Sequence, residues 1–303
     1  MNTKPHPDFM KAGEIAAHAL SEAMREVKPG VKLLRVCALA EKKIIEYGGR
    51  PAFPCNVSIN EEAAHYTSPH GDQKVFPSKG LVKVDVGAHV NGYLSDTAVT
   101  VDLDGSYEKY IAAAKEALDA ALDTIRPGIR VGQIGATIER SIKRHGLRPV
   151  HQLTGHQMKQ WNLHAGKNVP NISMKMTPKM ELGETFAVEP FATNGNGTIN
   201  GAKEAYIFSN NMGNKKKLDK LTIQIRNIAR KQFGTLPWAS RWLHGLKTDI
   251  DIDAAIRNLR RAGAIHGYAV LIEGKRGMVS QFEHSLFVGE DGAIVSTRRK
   301  NEL

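Results

Sequence analysis

Two aspartates bracket a short segment whose centre signals a tight turn. The segment DVGAHVNGYLSD, residues 85–96, contains an Asn-Gly pair, which favours a type I′ hairpin because both central residues can adopt positive φ. In the register set by that turn, facing residues have numbers that sum to 183, so Asp96 lies opposite Gly87. Since Gly87 shares a strand face with Asp85, we predict that both carboxylates point to the same side of the hairpin.

Two carboxylates on the same face of adjacent strands repel each other unless a proton or a cation lies between them. The stretch LVKVDVGAHV places Val82, Val84 and Val86 on the other face of the strand, which indicates burial of that face. We therefore favour a metal site over two solvated carboxylates on an outer surface.

Two glutamates and two histidines in the second half of the chain are further candidate ligands. Glu189 follows the apolar run TFAV immediately before Pro190, and Glu283 alternates away from the apolar residues of VSQFEHSLFV. His156 and His164 lie in the glycine-containing stretch LTGHQMKQWNLHAGKNVPN, which favours the wall of a site. Four carboxylates and one imidazole suit two hard or borderline divalent ions about 3.5–4 Å apart, with a hydroxide between them.

An internal repeat indicates how these residues are brought together. Residues 27–51 and 125–149 match without a gap at an offset of 98 residues. The helix-like stretches that precede them keep the same offset, so that Ala16, Ala19, Leu20 and Ala23 match Ala114, Ala117, Leu118 and Ala121. Each copy therefore predicts an amphipathic helix, a Pro-Gly turn and a second helix that ends at a glycine. Because solenoid repeats have periods of about 20–50 residues, this longer period indicates two related halves packed about a pseudo-twofold axis. A site at their junction would take ligands from both halves.

A basic segment interrupts the second half. Strand-like runs follow each predicted helix pair: KGLVKVDVGAHV and LSDTAVTVDL, then ETFAVEPFA and MVSQFEHSLFV. The span 194–273 separates the last two runs, and its stretches KLDKLTIQIRNIARKQFG and IDAAIRNLRRAGAIHGYAVL predict two helices. It contains 13 Lys and Arg against 6 Asp and Glu, which is most of the excess charge of the chain. We predict an inserted helical subdomain at 194–273 within a main domain formed by 1–193 and 274–303.

Composition limits the partners and the compartment. The formal charge of +11 over 303 residues favours a polyanionic neighbour such as RNA. The start MNTKPHPDF is too polar for a signal peptide, and no run approaches the roughly 18–20 apolar residues of a membrane span. Two cysteines, Cys37 and Cys55, fit a reducing compartment. We expect each of them to pack in the protein core. We expect a cytoplasmic protein that binds neither membrane nor DNA.

Over almost its entire length, the chain resembles the type II methionine aminopeptidases in their short form without an N-terminal extension. The motifs that carry the resemblance are PAFPCNVSINEEAAHYTSP, VDVGAHVNGYLSDTA, TGHQMKQWNLHAGKNVPN, FAVEPFAT, FGTLPWASRWL and QFEHSLF. It implies the pita-bread α/β fold, whose internal pseudo-symmetry agrees with the repeat. Type II members also carry a helical insertion between the last two glutamate ligands, which matches the separation of Glu189 and Glu283.

The resemblance assigns a role to each candidate ligand. The five ligand positions of the family fall on Asp85, Asp96, His156, Glu189 and Glu283. It implies that Asp85 chelates one ion, that Asp96 and Glu283 bridge both, and that His156 and Glu189 complete the other. Glu189 is also suited to take a proton from the nucleophile and pass it to the leaving amine. Co, Mn, Fe, Zn and Ni all accept such ligands.

The resemblance also implies a substrate, the N-terminus of a nascent polypeptide whose initiator methionine precedes a small second residue. His65 and His164 would flank the scissile bond as donors to its nitrogen and carbonyl oxygen. A methionine side chain needs an apolar pocket, for which the resemblance nominates Phe53, Ile207, Phe233, Trp238 and Tyr268. The free terminal amine would bind one ion and so restrict cleavage to the chain terminus.

Two alternatives stay open at this point. A proline dipeptidase or an aminopeptidase P shares the ligand set, but such enzymes usually carry a separate N-terminal domain, and here the repeat begins near residue 10. A fold relative without catalysis would act as an RNA-binding or ribosome-binding protein, but such relatives lose metal ligands. The basic insertion could also tether an active enzyme to the ribosome.

Overall fold

The chain alternates helix pairs with antiparallel strands. The structure is a computed structural model that describes residues 3–246 and 248–299. Its helices are α1 (Pro7–Arg25), α2 (Leu33–Glu46), α3 (Glu108–Thr124), α4 (Val131–Arg144), α5 (Lys220–Phe233), α6 (Ser240–His244) and α7 (Ile252–Arg261). Its strands are β1 (Arg50–Ile59), β2 (Glu62–Ala64), β3 (Leu81–Val90), β4 (Tyr93–Asp102), β5 (Arg148–Pro149), β6 (Thr154–Met158), β7 (Asn168–Pro170), β8 (Thr185–Val188), β9 (Phe191–Thr193), β10 (Ile199–Asn210), β11 (Trp238–Ala239), β12 (Ile265–Glu273), β13 (Val279–Gln281), β14 (His284–Val288) and β15 (Ala293–Val295).

The two helix pairs follow the sequence repeat. The bounds of α2 and α4 differ by the repeat offset of 98 residues at both ends. The apolar positions that recur in α1 and α3 are all buried, because each helix turns the same stripe toward the core. These positions are Ala16, Ala19, Leu20 and Ala23, with Ala114, Ala117, Leu118 and Ala121 as their counterparts. The predicted helices of the repeat are therefore confirmed.

The strands of the two halves have the same order. In the first half β3 pairs with β1 on one side and with β4 on the other, all antiparallel. In the second half β8 pairs in the same way with β6 and β14. The halves meet where β4 approaches the junction of β13 and β14, and there the Glu283 N–H donates to the Ala98 carbonyl at 3.0 Å. Side chains near this contact belong to both halves.

One hydrophobic core joins the helix pairs to these strands. It contains Val82, Val84 and Val86 at 0% exposure, together with the buried faces of α1 to α4. At about 25 cal/mol per Å² of buried apolar surface, each such valine contributes roughly 1.5–3 kcal/mol to folding. The valine face of β3 is thus committed to the core, which leaves Asp85 on the face toward the second half.

The basic segment consists of helices between two long strands. Its strands β10 and β12 pair with each other, and β12 also pairs with β2 of the first half. Its helices lie within 220–261 and surround a second apolar cluster that includes Phe208 and Trp238. The helix predicted over KLDKLTIQIRNIARKQFG is confirmed as α5, which begins after the N-cap Asp219 and ends at Gly234.

The helix predicted over IDAAIRNLRRAGAIHGYAVL is correct only as far as Arg261. Gly263 adopts a φ of +67° and turns the chain, and Ala264 N–H donates back to the Leu259 carbonyl. The remaining residues form β12, because Ile265–Glu273 pair with β10 along its length. No helix in the described part of the chain combines the length and the apolar character that a membrane span requires.

Candidate functional site

The hairpin at Asn91-Gly92 has the predicted register. Asn91 and Gly92 adopt φ values of +51° and +82°, as a type I′ turn requires. Gly87 faces Asp96, and Asp85 faces Ala98. Asp85 and Asp96 line the same cavity, and burial together with the Asp96 carboxylate raises the pKa of Asp85. The predicted approach of the two aspartates is confirmed.

The second pair of acids lies where two facing strands are interrupted. Strand β8 ends just before Glu189, β9 begins after Pro190, and Glu283 separates β13 from β14. Strand β8 pairs with β14, and β9 pairs with β13, in the same register. This register puts Glu189 directly opposite Glu283. Proline lacks an N–H, so the ladder opens at this point, and both glutamate side chains are free to turn inward.

The acids of both halves converge on one imidazole. Strand β6 presents His156, whose Nε2 lies 3.4 Å from Asp96 Oδ2 and 3.9 Å from Glu189 Oε1. Ligand atoms of Asp96, His156 and Glu283 all lie within 4.8 Å of one another. The three side chains are buried, and they come from β4, β6 and the gap between β13 and β14. The site therefore lies at the junction of the two halves.

Burial controls the protonation of the cluster. It raises the pKa of Asp96 to about 7. Burial, together with the Asp96 carboxylate, raises the pKa values of Asp85, Glu189 and Glu283 well above the usual range. Burial also lowers the pKa of His156 to about 4, so the imidazole is neutral at pH 7 and keeps a lone pair for a ligand bond.

The donor set fits divalent cations. Asp85 Oδ1, Asp96 Oδ1 and Glu283 Oε1 are buried atoms without a hydrogen-bond partner among the described residues. Buried carboxylate oxygens are normally paired, so unpaired oxygens that face one another indicate a cation as their partner. Oxygen and imidazole donors suit hard and borderline ions. Cys37 and Cys55 are buried elsewhere in the main core.

A cavity of about 230 Å³ opens onto the acid cluster. All five candidate ligands line it, and so do His65 and His164. Its apolar lining includes Phe53, Leu163, Ile207, Pro237 and Tyr268. The cavity lining thus combines charged and apolar side chains.

Comparison with known proteins agrees with this arrangement. Residues 8–229 match metallopeptidase family M24. A methionine aminopeptidase from Methanothermobacter thermautotrophicus is 43% identical over 292 residues, which cover 95% of this chain and 97% of that relative. The chain belongs to the methionine aminopeptidases of family M24.

Solved structures agree with the family assignment at the level of the fold. A methionine aminopeptidase from Thermotoga maritima has a TM-score of 0.71 at 21% identity and covers 99% of this chain and 100% of that chain. A thermophilic Arx1 has a TM-score of 0.83 at 16% identity and covers 95% of this chain and 89% of that chain. The pita-bread α/β fold expected for the methionine aminopeptidases is confirmed, and family M24 implies the use of divalent metal.

The structure separates the five pocket residues that were nominated from the family resemblance. Phe53, Ile207 and Tyr268 line the cavity, whereas Phe233 and Trp238 are not among its lining residues. Trp238 is fully buried, with its ring stacked on Phe233 at a centroid distance of 5.7 Å. Both belong to the second apolar cluster, where Trp238 lies beside β10, the strand that carries Ile207.

His65 has one ring nitrogen already occupied. Because a carbonyl oxygen only accepts hydrogen bonds, His65 Nδ1 carries the proton and donates to the Ala269 carbonyl at 3.3 Å. Burial lowers the pKa of His65 to about 4, so the ring is neutral and its Nε2 is an acceptor. The family resemblance implies a donor here, whereas this tautomer provides an acceptor.

His164 completes the wall next to the metal-ligand candidates. Its ring lies 4.4 Å from that of His156 between centroids. The residue is exposed to solvent at the cavity, and partial desolvation together with His156 lowers its pKa to about 4. A neutral imidazole has one N–H donor, which suits hydrogen bonding to a carbonyl oxygen.

Asn56 and Gln281 also lie at the site, although no sequence motif indicated a role for them. Asn56 lines the cavity opposite Asp85, but its strand β1 carries two prolines, which weaken the strand signal. Gln281 lies two residues before Glu283, and its amide contacts that carboxylate. The period of two along a strand was the available signal for Gln281.

Proposed function

We propose that the protein is a metal-dependent aminopeptidase that removes the initiator methionine from nascent proteins and peptides with a small second residue. The observation that carries the proposal is one cavity lined by apolar side chains, four carboxylates and an imidazole, of which Asp96, His156 and Glu283 are buried within 4.8 Å of one another. The family assignment supports the same reaction. Such a substrate emerges in the cytoplasm, where we expect the protein to act.

Asp85, Asp96, His156, Glu189 and Glu283 are the proposed ligands of two divalent ions. When bound, such ions polarise a carbonyl and lower the pKa of water, which supplies a nucleophile at neutral pH. The ligand types accept Co, Mn, Fe, Zn or Ni, so the identity of the ions depends on their availability.

Three side chains would then handle the scissile peptide. Glu189 would take a proton from the nucleophile and return it to the leaving amine. His65 would accept from the peptide N–H through Nε2, because its Nδ1 is held by the Ala269 carbonyl. His164 would donate to the peptide carbonyl oxygen, where negative charge develops.

Recognition would occur at both ends of the cavity. The methionine side chain is apolar and flexible, and it would contact Phe53, Ile207 and Tyr268. The charged end would receive the free amine, whose coordination fixes the first peptide bond at the reacting groups. An acetylated terminus has no such amine and would not be positioned for cleavage.

Peptide hydrolysis tests the proposed reaction. Metal-loaded protein is expected to release methionine from Met-Ala-Ser and Met-Gly peptides and to leave N-acetyl-Met-Ala-Ser intact. Free methionine is measured by chromatography. Preferential cleavage of Xaa-Pro peptides would favour a proline-specific enzyme, and equal turnover of the acetylated peptide would contradict the amine-binding mechanism.

The basic insertion is a proposed contact to ribosomal RNA. Lys215, Lys216 and Lys217 are exposed next to α5, and cationic side chains attract phosphate in a salt-dependent manner. Changing all three to Glu is expected to weaken co-sedimentation with ribosomes at low salt while peptide turnover stays unchanged. A control with the same change of charge reverses three exposed lysines outside the insertion, namely Lys28, Lys79 and Lys175. Equal co-sedimentation of both variants would contradict the contact.

A further inference from the structure

Gln281 lies between two of the metal-ligand candidates and has no role in the mechanism above. Its Nε2 lies 3.3 Å from Glu283 Oε2 and 3.4 Å from Glu189 Oε2. The side chain is almost fully buried, with 1% exposure. A primary amide has two N–H donors, so one nitrogen can donate to both carboxylates at the same time.

The amide contacts only one oxygen of Glu283. Oε2 accepts from Gln281, whereas Oε1 is buried without a hydrogen-bond partner among the described residues. The terminal torsion angle of a glutamate has a broad distribution, so a carboxylate without hydrogen bonds samples many orientations. A hydrogen bond to one oxygen fixes which oxygen faces the cluster.

The backbone of Gln281 is itself held by the other half of the molecule. Thr100 on β4 donates its hydroxyl to the Gln281 carbonyl at 2.7 Å, and the Gln281 N–H donates to the same hydroxyl at 2.8 Å. Thr100 is buried as well. The side-chain amide therefore extends from a backbone segment that is held in place at the junction of the two halves.

The pseudo-twofold explains why a polar residue lies here. Asp85 faces Ala98 in the β3–β4 hairpin, and Glu189 faces Glu283 where β8 and β9 pair with β14 and β13. If Asp85 and Glu189 are counterparts, Ala98 corresponds to Glu283, and Gln281, two residues earlier on the strand, corresponds to Asp96. An acid at this position would add a fifth negative charge, and a lysine would repel the cations, whereas an amide is a neutral donor.

We propose that Gln281 is a positioning residue that orients the carboxylates of Glu189 and Glu283 toward the metal ions. The proposal rests on the proposed metal-dependent function. Residues that hydrogen-bond to metal ligands typically change metal affinity or activity by about 10- to 100-fold when they are replaced. Gln281 touches neither substrate nor ion in this role and acts through the two glutamates.

Gln281→Met tests the proposal, because methionine keeps the approximate length of the side chain and removes both donors. The metal-free protein is titrated with Co²⁺ alone, and affinity, stoichiometry and the visible absorption spectrum of the bound ion are measured. We expect an affinity about 10- to 100-fold lower, an altered spectrum, and a lower kcat with little change in KM. A change of fold stability alone would not alter the spectrum of the bound ion.

Gln157→Met is the matched control. Gln157 is also a buried strand glutamine that donates to a glutamate, with its Nε2 at 2.8 Å from Glu184 Oε1, but its side chain lies outside the acid cluster. This variant is expected to bind Co²⁺ like the wild type. If Gln281→Met does not fold, Gln281→Asn serves instead, because its shorter amide cannot reach both carboxylates.

The outcomes separate this proposal from the proposed function. Wild-type protein that binds no Co²⁺ would refute the metal-dependent function itself. Wild-type protein that binds Co²⁺, with Gln281 variants of the same affinity and spectrum, would refute only the role of Gln281. An equal loss of affinity in Gln157→Met would also refute it, because the effect would then be unspecific.

Discussion

The acids of the site have protonation states that are set first by their burial. Burial raises the pKa values of the four acids, so without a cation some of them retain protons at neutral pH. A divalent ion bound to the proposed ligands would replace those protons, because its charge would compensate the carboxylates directly. Metal binding is therefore expected to release protons and to weaken as the pH falls.

Asp96→Asn tests the central carboxylate. Asp96 lies next to Asp85, His156 and Glu283, so the loss of its charge is expected to abolish metal loading and peptide turnover together. Metal content per chain is measured by elemental analysis after loading and desalting. An active variant that retains two ions would contradict the assignment of Asp96 as a ligand.

The same variant makes a prediction for the stability of metal-free protein. The folded pKa of Asp96, about 7, lies above its ordinary value of 3.8. Stability contributed by the protonated form is therefore present below about pH 4 and is lost as the pH rises toward 7. Asn does not titrate, so in chelator the Tm of Asp96→Asn minus that of wild type is expected to increase over this range. A difference that is constant with pH would show that Asp96 is not buried as described.

At the scale of elements, the β3–β4 hairpin fixes the distance between the first two acids. Its turn requires positive φ at Gly92, where an added Cβ would clash with the Trp161 ring. Trp161 also donates its backbone N–H to the Gly92 carbonyl at 2.9 Å, so the loop that leads to His164 rests on the turn. The hairpin thus positions both the two aspartates and the loop that leads to His164.

Gly92→Ala is expected to disturb both the two aspartates of the hairpin and the loop that leads to His164. The left-handed conformation costs about 1–2 kcal/mol for a residue with a Cβ, and displacement of Trp161 adds to this. Gly105→Ala is the control, because Gly105 has a φ of +75° but nothing within 4 Å of an added Cβ. Chemical denaturation and Co²⁺ titration are expected to show a larger loss of stability for Gly92→Ala, and weaker metal binding in that variant only. Identical behaviour of the two variants would contradict the coupling of turn and site.

At the scale of the whole molecule, a buried ion pair connects the basic segment 194–273 to the first half. Arg241 on α6 pairs with Glu41 on α2, and it also donates to the Ser68 carbonyl at 2.9 Å. Glu41 accepts further hydrogen bonds from Trp242 Nε1 at 2.8 Å and Cys55 N–H at 3.0 Å. These contacts hold β11 and its neighbours against the strand that carries Phe53.

Arg241→Met is expected to lower the free energy of unfolding by about 3–5 kcal/mol, because Glu41 remains buried without its charged partner. The double variant with Glu41→Gln should recover part of this loss, since a neutral amide is less costly to bury. Denaturation with urea measures both. If Arg241→Met is as stable as the wild type, the ion pair does not attach the insertion.

Local chemistry in the sequence was sufficient for the parts of the site that lie close together along the chain. The Asn-Gly turn predicted the register that brings Asp85 and Asp96 together, because turn type and side-chain alternation depend on neighbouring residues. The repeat predicted two related halves with a site between them, and the structure places His156 and Glu283 of the second half beside Asp96. Motif resemblance supplied His65, which no local pattern distinguished.

Only the tertiary structure decided which residues share an environment across long separations. Phe233 and Tyr268 are both aromatic residues of the insertion, yet one packs in an apolar cluster and the other lines the cavity. The contacts of Gln281 with Glu189, and the pairing of β10 with β12, join segments more than 50 residues apart. Such contacts depend on how complete surfaces pack, because the same apolar or amide group is stabilised equally well by a core, a pocket or a ligand.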